Sequence, residues 1–234
     1  MKTVKRGYVP EDEKNFSYNS VVMLKKAAND IKYLIDNGYP IKSASVFVGD
    51  HYLLSERQRL ALVRSVSCSE MLEQRKNREL SSLSDGCTVH IDGFNTIITL
   101  EVAYSGSPVF DCMDGCVRDL AGLRGTYRIV DKTEIALKAI GRELCRQKIG
   151  RAIFYLDKPV SNSGRLAQMI KDLFEDMQFQ TETVVINEVD HELKKHENVI
   201  SGDAIILDYC KSWYNLVRNV LAEDGLPENM LKVW

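Results

Sequence analysis

Three separate stretches of this chain each run from an apolar, strand-like segment into an aspartate: Thr88-Val-His-Ile-Asp92, Ala152-Ile-Phe-Tyr-Leu-Asp157 and Asn198-Val-Ile-Ser-Gly-Asp203. If these are parallel strands of one sheet, their carboxylates arrive at one edge, in the crevice where open α/β sheets bind ligands. Asp190 follows a fourth candidate strand at 181–187, and Asp208 lies beyond Asp203. Carboxylates gathered at one edge repel one another unless a cation sits between them. Hard oxygen donors with no histidine cluster suit Mg²⁺ or Mn²⁺ rather than Zn²⁺. Such an ion supports phosphodiester cleavage by activating water and neutralising phosphate charge. An aspartate after a strand is also an ordinary helix cap or turn residue, so it is the repetition that argues for a shared site.

A second group stands at Ser161-Asn162-Ser163-Gly164-Arg165. It is expected at a helix N-terminus, where free N–H groups, the helix dipole and short hydroxyls hold a phosphate as readily as they cap the helix. Cys112 and Cys116 form the one close cysteine pair, without the further Cys or His that a four-ligand zinc site needs. The chain contains neither a P-loop nor a Gly-Xaa-Ser-Xaa-Gly elbow.

Delivering these residues requires alternating strands and helices. After residue 86 the pattern reads strand 88–92, then 96–103 as helix or β extension, then a Gly-rich, charged stretch 105–131 of unassigned form. A helix opens at Asp131-Lys-Thr-Glu134, followed by the strand to Asp157 and a helix burying Leu166, Ile170, Leu173, Phe174 and Met177. Strand 181–187, a short helix across Leu193, the strand into Asp203 and an amphipathic helix Ile205–Leu221 complete an α/β fold with a parallel sheet.

Ahead of this lies an irregular arm, 1–16, and a helix from Ser20 closed by Asp36-Asn37-Gly38. A short strand follows at Ala44–Gly49, then a helical region, 55–82, opened by Ser55, as one helix or as two bent near residue 67. On a continuous helix Arg57, Arg64 and Arg75 fall within about 20° of one stripe, a solvated face or a phosphate track. The polar break Ser81–Gly86 divides a small, mainly helical domain (1–83) from an α/β domain (84–234) expected to fold alone.

With 234 residues and 44% apolar content the chain can bury a sizeable core. It shows no apolar run long enough to span a membrane and no signal-peptide h-region, so a cytoplasmic location is expected. Six dispersed cysteines fit reduced thiols. Residues 1–80 carry 14 Lys/Arg against 10 Asp/Glu, and residues 81–234 carry 17 against 23. A basic smaller part beside an acidic larger one suits an anionic polymer held against a metal-collecting cleft, and a solvated surface explains it equally well.

Asp92-Gly-Phe-Asn95, the strand ending in Asp157, Val189-Asp190 before a helix, and Ser201-Gly202-Asp203 resemble the ordered landmarks of PIN-like domains, especially their NYN branch. The resemblance spans about residues 87–220. It implies a PIN-like sheet flanked by helices and metal-dependent cleavage of RNA. Asp92, Asp157, Asp203 and Asp208 would do the chemistry, Asn95 would orient substrate or water, and Asp190, Asp114 and Asp119 are further candidate metal ligands. The branch usually continues Ser-Gly-Asp with Ser-Asp, whereas this chain has Ala204-Ile205. A non-catalytic RNA-binding or adaptor protein is therefore the alternative. Over its whole length, through Arg6-Gly-Tyr-Val-Pro10, Asn37-Gly-Tyr-Pro40, Leu54-Ser-Glu-Arg-Gln-Arg59, Asp114-Gly-Cys-Val-Arg-Asp119 and Pro159-Val-Ser-Asn-Ser-Gly164, the chain resembles the uncharacterised prokaryotic family called domain of unknown function 434. RNA is the expected partner, a membrane is not, and a homodimer is left open.

Overall fold

The computed structural model describes residues 5–122, 125–226 and 230–234; residues 1–4 of the expected arm lie outside them. The helices α1 (Asp12–Asn15), α2 (Tyr18–Asp36), α3 (Ile41–His51), α4 (Glu56–Ser65) and α5 (Ser69–Arg78) come first. Next are β1 (Glu79–Leu80), β2 (Thr88–Asp92), α6 (Gly93–Tyr104), β3 (Val109–Asp111), β4 (Val117–Asp119) and α7 (Asp131–Arg146). Then follow β5 (Arg151–Asp157), α8 (Ser163–Phe174), β6 (Gln180–Ile186), α9 (Val189–Leu193), β7 (Val199–Ile200) and α10 (Ala204–Leu207). The chain closes with β8 (Trp213–Tyr214), α11 (Leu216–Glu223) and β9 (Met230–Leu231).

Six strands form a sheet in the order β1-β8-β7-β2-β5-β6, with every pairing parallel. The chain enters the middle of this sheet at β2, builds outward through β5 and β6, and then returns to β2's other side with β7 and β8. The strand order thus reverses at β2, and the crevice at its carboxyl end is a topological switch point. Strand alternation turns Val89 and Ile91 toward one face, where they pack with Phe154, Leu156, Ile140 and Ile170. The opposite face packs Ile153 and Tyr155 against Val189, Leu193, Ile206 and Trp213. No helix of the described residues is long and apolar enough to cross a membrane.

Several expected elements take another form. Residues 44–49 lie inside α3, because Ala44, Ser45, Val48 and Gly49 are buried at helical spacing while Val46 and Phe47 face outward. The 55–82 region is two helices: Ser55 and Gln58 make a reciprocal capping box on α4, and Val66 in extended conformation breaks the path before α5. The Arg57–Arg64–Arg75 stripe therefore does not run along one axis. Residues 96–103 are helical. Segment 105–131 contains an antiparallel hairpin, β3 with β4, joined by β9 in a second sheet. Gly115 takes φ +82° in its turn, where a side chain would be strained. Cys112 and Cys116 are both buried in this hairpin, the Cys112 N–H donating to the Cys116 carbonyl at 3.0 Å. The expected final helix is interrupted, since Trp213 and Tyr214 are drawn into the sheet beside β1 and Trp213 Nε1 donates to the Arg75 carbonyl at 2.8 Å.

The polar break at 81–86 falls between β1 and β2, so residues 79–80 belong to the sheet. Leu24, Ala28, Ile31 and Leu62 share a core cluster with Phe110, Leu120 and Val233. The N-terminal helices are therefore packed directly onto the hairpin, and removing them would uncover apolar surface.

Candidate functional site

At the carboxyl edge of the sheet a cleft of about 180 Å³ is lined by five aspartates, Asp92, Asp119, Asp157, Asp190 and Asp203, with Arg64, Asn95 and Phe94. Each acid arrives differently. Asp92 ends β2 and caps α6, accepting a hydrogen bond from the Asn95 N–H at 3.4 Å and one from the Ser201 hydroxyl at 2.8 Å. Asp157 ends β5, and Asp190 stands in the first turn of α9 just after β6. Asp203 caps α10, its carboxylate accepting from the Ile205 N–H at 2.7 Å. Asp119 ends β4, held by the Thr99 hydroxyl at 2.7 Å and the Ala121 N–H at 2.7 Å. Three of the four sheet-edge acids thus end a strand or cap a helix and Asp190 stands in a first helical turn, and their common address follows from the parallel topology.

The acids strain against one another. Burial, then the charges of Asp203 and Asp190, push the Asp92 carboxyl up to about 7, against the pull of the Ser201 hydrogen bond. Asp157 is raised by burial and by Asp190. Asp190 is raised by burial and by Asp203, with Lys194 opposing. Asp119 is raised by burial although Thr99 and Arg64 favour its charged form. A hard divalent cation is the kind of ligand that would relieve this repulsion. As placed, no three His, Cys, Asp or Glu side chains among the described residues stand close enough to hold one ion.

Backbone approach is close here. A Cβ on Gly93 would lie 2.5 Å from Leu156 Cδ2 and 2.9 Å from the Tyr155 carbonyl oxygen, which explains why glycine follows Asp92. Asn95 Oδ1 accepts from the Gly202 N–H at 2.8 Å, so this side chain ties the β2–α6 turn to the β7–α10 turn. Its observed partner is backbone, which makes it a residue that positions Asp203.

The structure does not bring every candidate into the cleft. Asp114 lies elsewhere, fully buried between Arg75 at 2.6 Å and Arg118. Burial alone would raise its carboxyl, but the charges and hydrogen bonds of the two arginines hold it below the usual carboxylate range. Asp208 accepts from Arg75 Nε at 2.7 Å instead of facing the acids. The helix cap around residues 161–165 is also committed internally. Ser161 Oγ accepts from the Tyr127 N–H at 3.1 Å, Asn162 donates to the Tyr127 carbonyl at 2.7 Å, and Ser163 donates to the Asp157 carbonyl at 2.6 Å. These three side chains lace the 125–127 loop and the end of β5 to α8. Arg165 is exposed.

The sequence places Arg64 only in a stripe and Ser201 and Arg118 only within motifs, without a role at the cleft, and gives no signal for Thr99. Arg118 is buried and donates to the Gly202 carbonyl at 2.6 Å, beneath the turn that carries Asp203. The buried Arg75–Asp114–Arg118 group thereby supports the cleft floor without lining the aspartate pocket.

A six-stranded parallel α/β protein with an acidic cleft at its switch point is the class that fold and site define. Residues 23–78 match the family described as "Protein of unknown function (DUF434)", and residues 80–219 match "Domain of unknown function (DUF5616)". The uncharacterized protein MJ0935 of Methanocaldococcus jannaschii is 35% identical over 186 residues, covering 79% of this chain and 88% of that protein. The chain belongs to the family of this archaeal protein, and along the chain the two matched domains follow one another. No solved structure matches it.

Proposed function

We propose that the protein is a Mg²⁺- or Mn²⁺-dependent phosphodiesterase acting on RNA, a PIN-like ribonuclease of the NYN kind. The single observation that carries this reading is the convergence of five aspartates, from five positions in the chain, on one cleft at the switch point of the sheet. The reversal of strand order at the central β2 and the Asp92-Gly-Phe-Asn95 and Ser201-Gly202-Asp203 landmarks support the PIN-like part.

Asp92 and Asp203, with Asp157, Asp190 and Asp119 at hand, supply the hard oxygen set such a cation takes. Their side chains would have to turn from their present positions to close it. When bound, the cation supplies Lewis acidity and neutralises charge on the phosphate. Burial and the neighbouring acids hold the Asp92 carboxyl near 7 without a cation, and Asp92 would give up that proton to serve as a carboxylate ligand. Ser201 and Asn95 hold the turn that presents Asp203. Phe94 and Ile98 contribute apolar wall to the cleft.

Ala204-Ile205, together with the absence of a preassembled ligand trio among the described residues, favours a second reading, an RNA-binding or adaptor protein that keeps the fold without cutting. The test separates the two. Full-length protein is incubated with end-labelled single-stranded RNA in Mg²⁺, in Mn²⁺ and in EDTA, and Asp92→Asn is run beside it. Metal-dependent cleavage lost in the variant is the expected result. Binding without cleavage in either metal would favour the adaptor, and neither binding nor cleavage would remove nucleic acid from consideration.

A further inference from the structure

Three cavities border α4. The acidic cleft shares Arg64, Asn95, Asp119 and Asp203 with a neighbouring cavity of about 250 Å³ that also touches Val63, Ser67 and Ile205. On its other side it shares Ala121 with a cavity of about 580 Å³ lined by Glu56, Arg57 and Leu60. The positions that α4 contributes, 56, 57, 60, 63 and 64, fall on one side of the helix, and Ser67 follows just beyond its end. One face of this helix therefore borders all three cavities. At 1.5 Å per residue the stretch 56–64 is about 12 Å long, more than one nucleotide occupies, and Arg64, which lines the acidic cleft, stands toward its carboxyl end.

Arg64 is the one cation lining the acidic cleft among the described residues. Its neighbours are already committed. Arg57 is bound to Asp12 and to the Gly7 carbonyl, Arg75 to Asp114 and Asp208, and Arg118 to Asp114 and the Gly202 carbonyl. The Arg64 guanidinium is one-third exposed, donates to the Asp119 carbonyl, and stands 3.9 Å from the Asp119 carboxylate, too far for a hydrogen bond. A guanidinium has five N–H donors, and the hydrogen bond to the Asp119 carbonyl engages one of them.

We propose that α4 is the wall of a binding furrow for single-stranded RNA, in which Arg64 holds a backbone phosphate beside the acidic cleft. Leu60, Val63 and Ile205 offer apolar contact for sugars and bases. This rests on the phosphodiesterase reading of the cleft and adds that the site is composite: the domain matching the first family supplies the phosphate contact, and the domain matching the second supplies the acids.

The test is binding of a fluorescein-labelled oligouridine to the full-length protein, read by anisotropy across a salt series in Mg²⁺. Arg64→Ala should weaken binding and lower the slope of log Kd against log salt by about one, whereas Arg64→Lys should keep the slope. Leu60→Glu, at a surface position on the same wall, should weaken binding as well. All three variants should keep the Mg²⁺-induced rise in melting temperature. Parent-like binding and slope in Arg64→Ala and Leu60→Glu, with that thermal response intact, would overturn the furrow and leave the acidic-cleft reading standing. Loss of the Mg²⁺ response and of RNA binding in the parent itself would overturn both. An equal preference for oligothymidine would overturn the assignment to RNA.

Discussion

Arg75 and Asp114 meet at 2.6 Å with both side chains buried, one from the DUF434 region and one from the DUF5616 region. Asp114 also receives Arg118, which donates to the carbonyl of Gly202 next to Asp203. The contact between the two regions is thus electrically continuous with the support of the site.

Removing the shared carboxylate should be severe. Asp114→Asn leaves the buried Arg118 without a counter-charge and Arg75 with Asp208 alone, which costs about 3–5 kcal/mol. Urea unfolding should show the midpoint fall with an unchanged slope. A midpoint equal to the parent's would mean that Asp208 alone satisfies Arg75 and that the network is dispensable.

The fragment 84–234 keeps the main sheet core but loses α5, β1 and the helices that cover Phe110 and Leu120. It should be less stable than the full chain and bind a hydrophobic dye. A cooperative melt at the full chain's temperature would show that the N-terminal helices contribute no stability to the sheet domain.

Without divalent cations the cleft should make stability depend on pH in a direction unusual for an aspartate. The Asp92 carboxyl sits near 7 when folded, against an ordinary value of 3.8. The folded state therefore holds the proton that the unfolded state has released, and stability falls as pH rises from about 4 to about 7. In EDTA, Asp92→Asn should flatten that decline and be more stable than the parent at pH 7 by on the order of a few kcal/mol. A parent curve that is flat across this window would show that Asp92 is not crowded.

Mg²⁺ or Mn²⁺ should raise the melting temperature of the parent, since an ion bound only by the folded state stabilises it by mass action. Asp92→Asn and Asp203→Asn should each reduce the rise. An unchanged response in both would remove these two residues as ligands.

Gly93→Ala should destabilise by about 1–3 kcal/mol through overpacking, because the new Cβ meets both the Leu156 side chain and the Tyr155 carbonyl oxygen. Pairing it with Leu156→Ala should recover part of the loss in thermal unfolding. No recovery would place the clash on the backbone oxygen.

The strands ending in Asp92 and Asp157, and the one leading to Asp203, were legible in the residue order. Alternation and apolar runs are local signals, and a parallel sheet places its strand ends together once those strands exist. The same locality explains what was misread. Ala44–Gly49 is β-branched and aromatic in part, yet its burial pattern against α2 and α4 makes it helical. Trp213-Tyr214 reads as helix until β1 is available as a strand partner. Asp114 and Asp208 carry the same side chain as Asp92, and nothing in the sequence distinguishes an acid aimed at a cleft from one aimed at Arg75. Arg64 could be seen only as part of a stripe, whereas its place beside five aspartates depends on how α4 packs across the hairpin. Local periodicity determines which elements form and which residues end them; the partner each charge meets across a hundred residues is decided by packing alone.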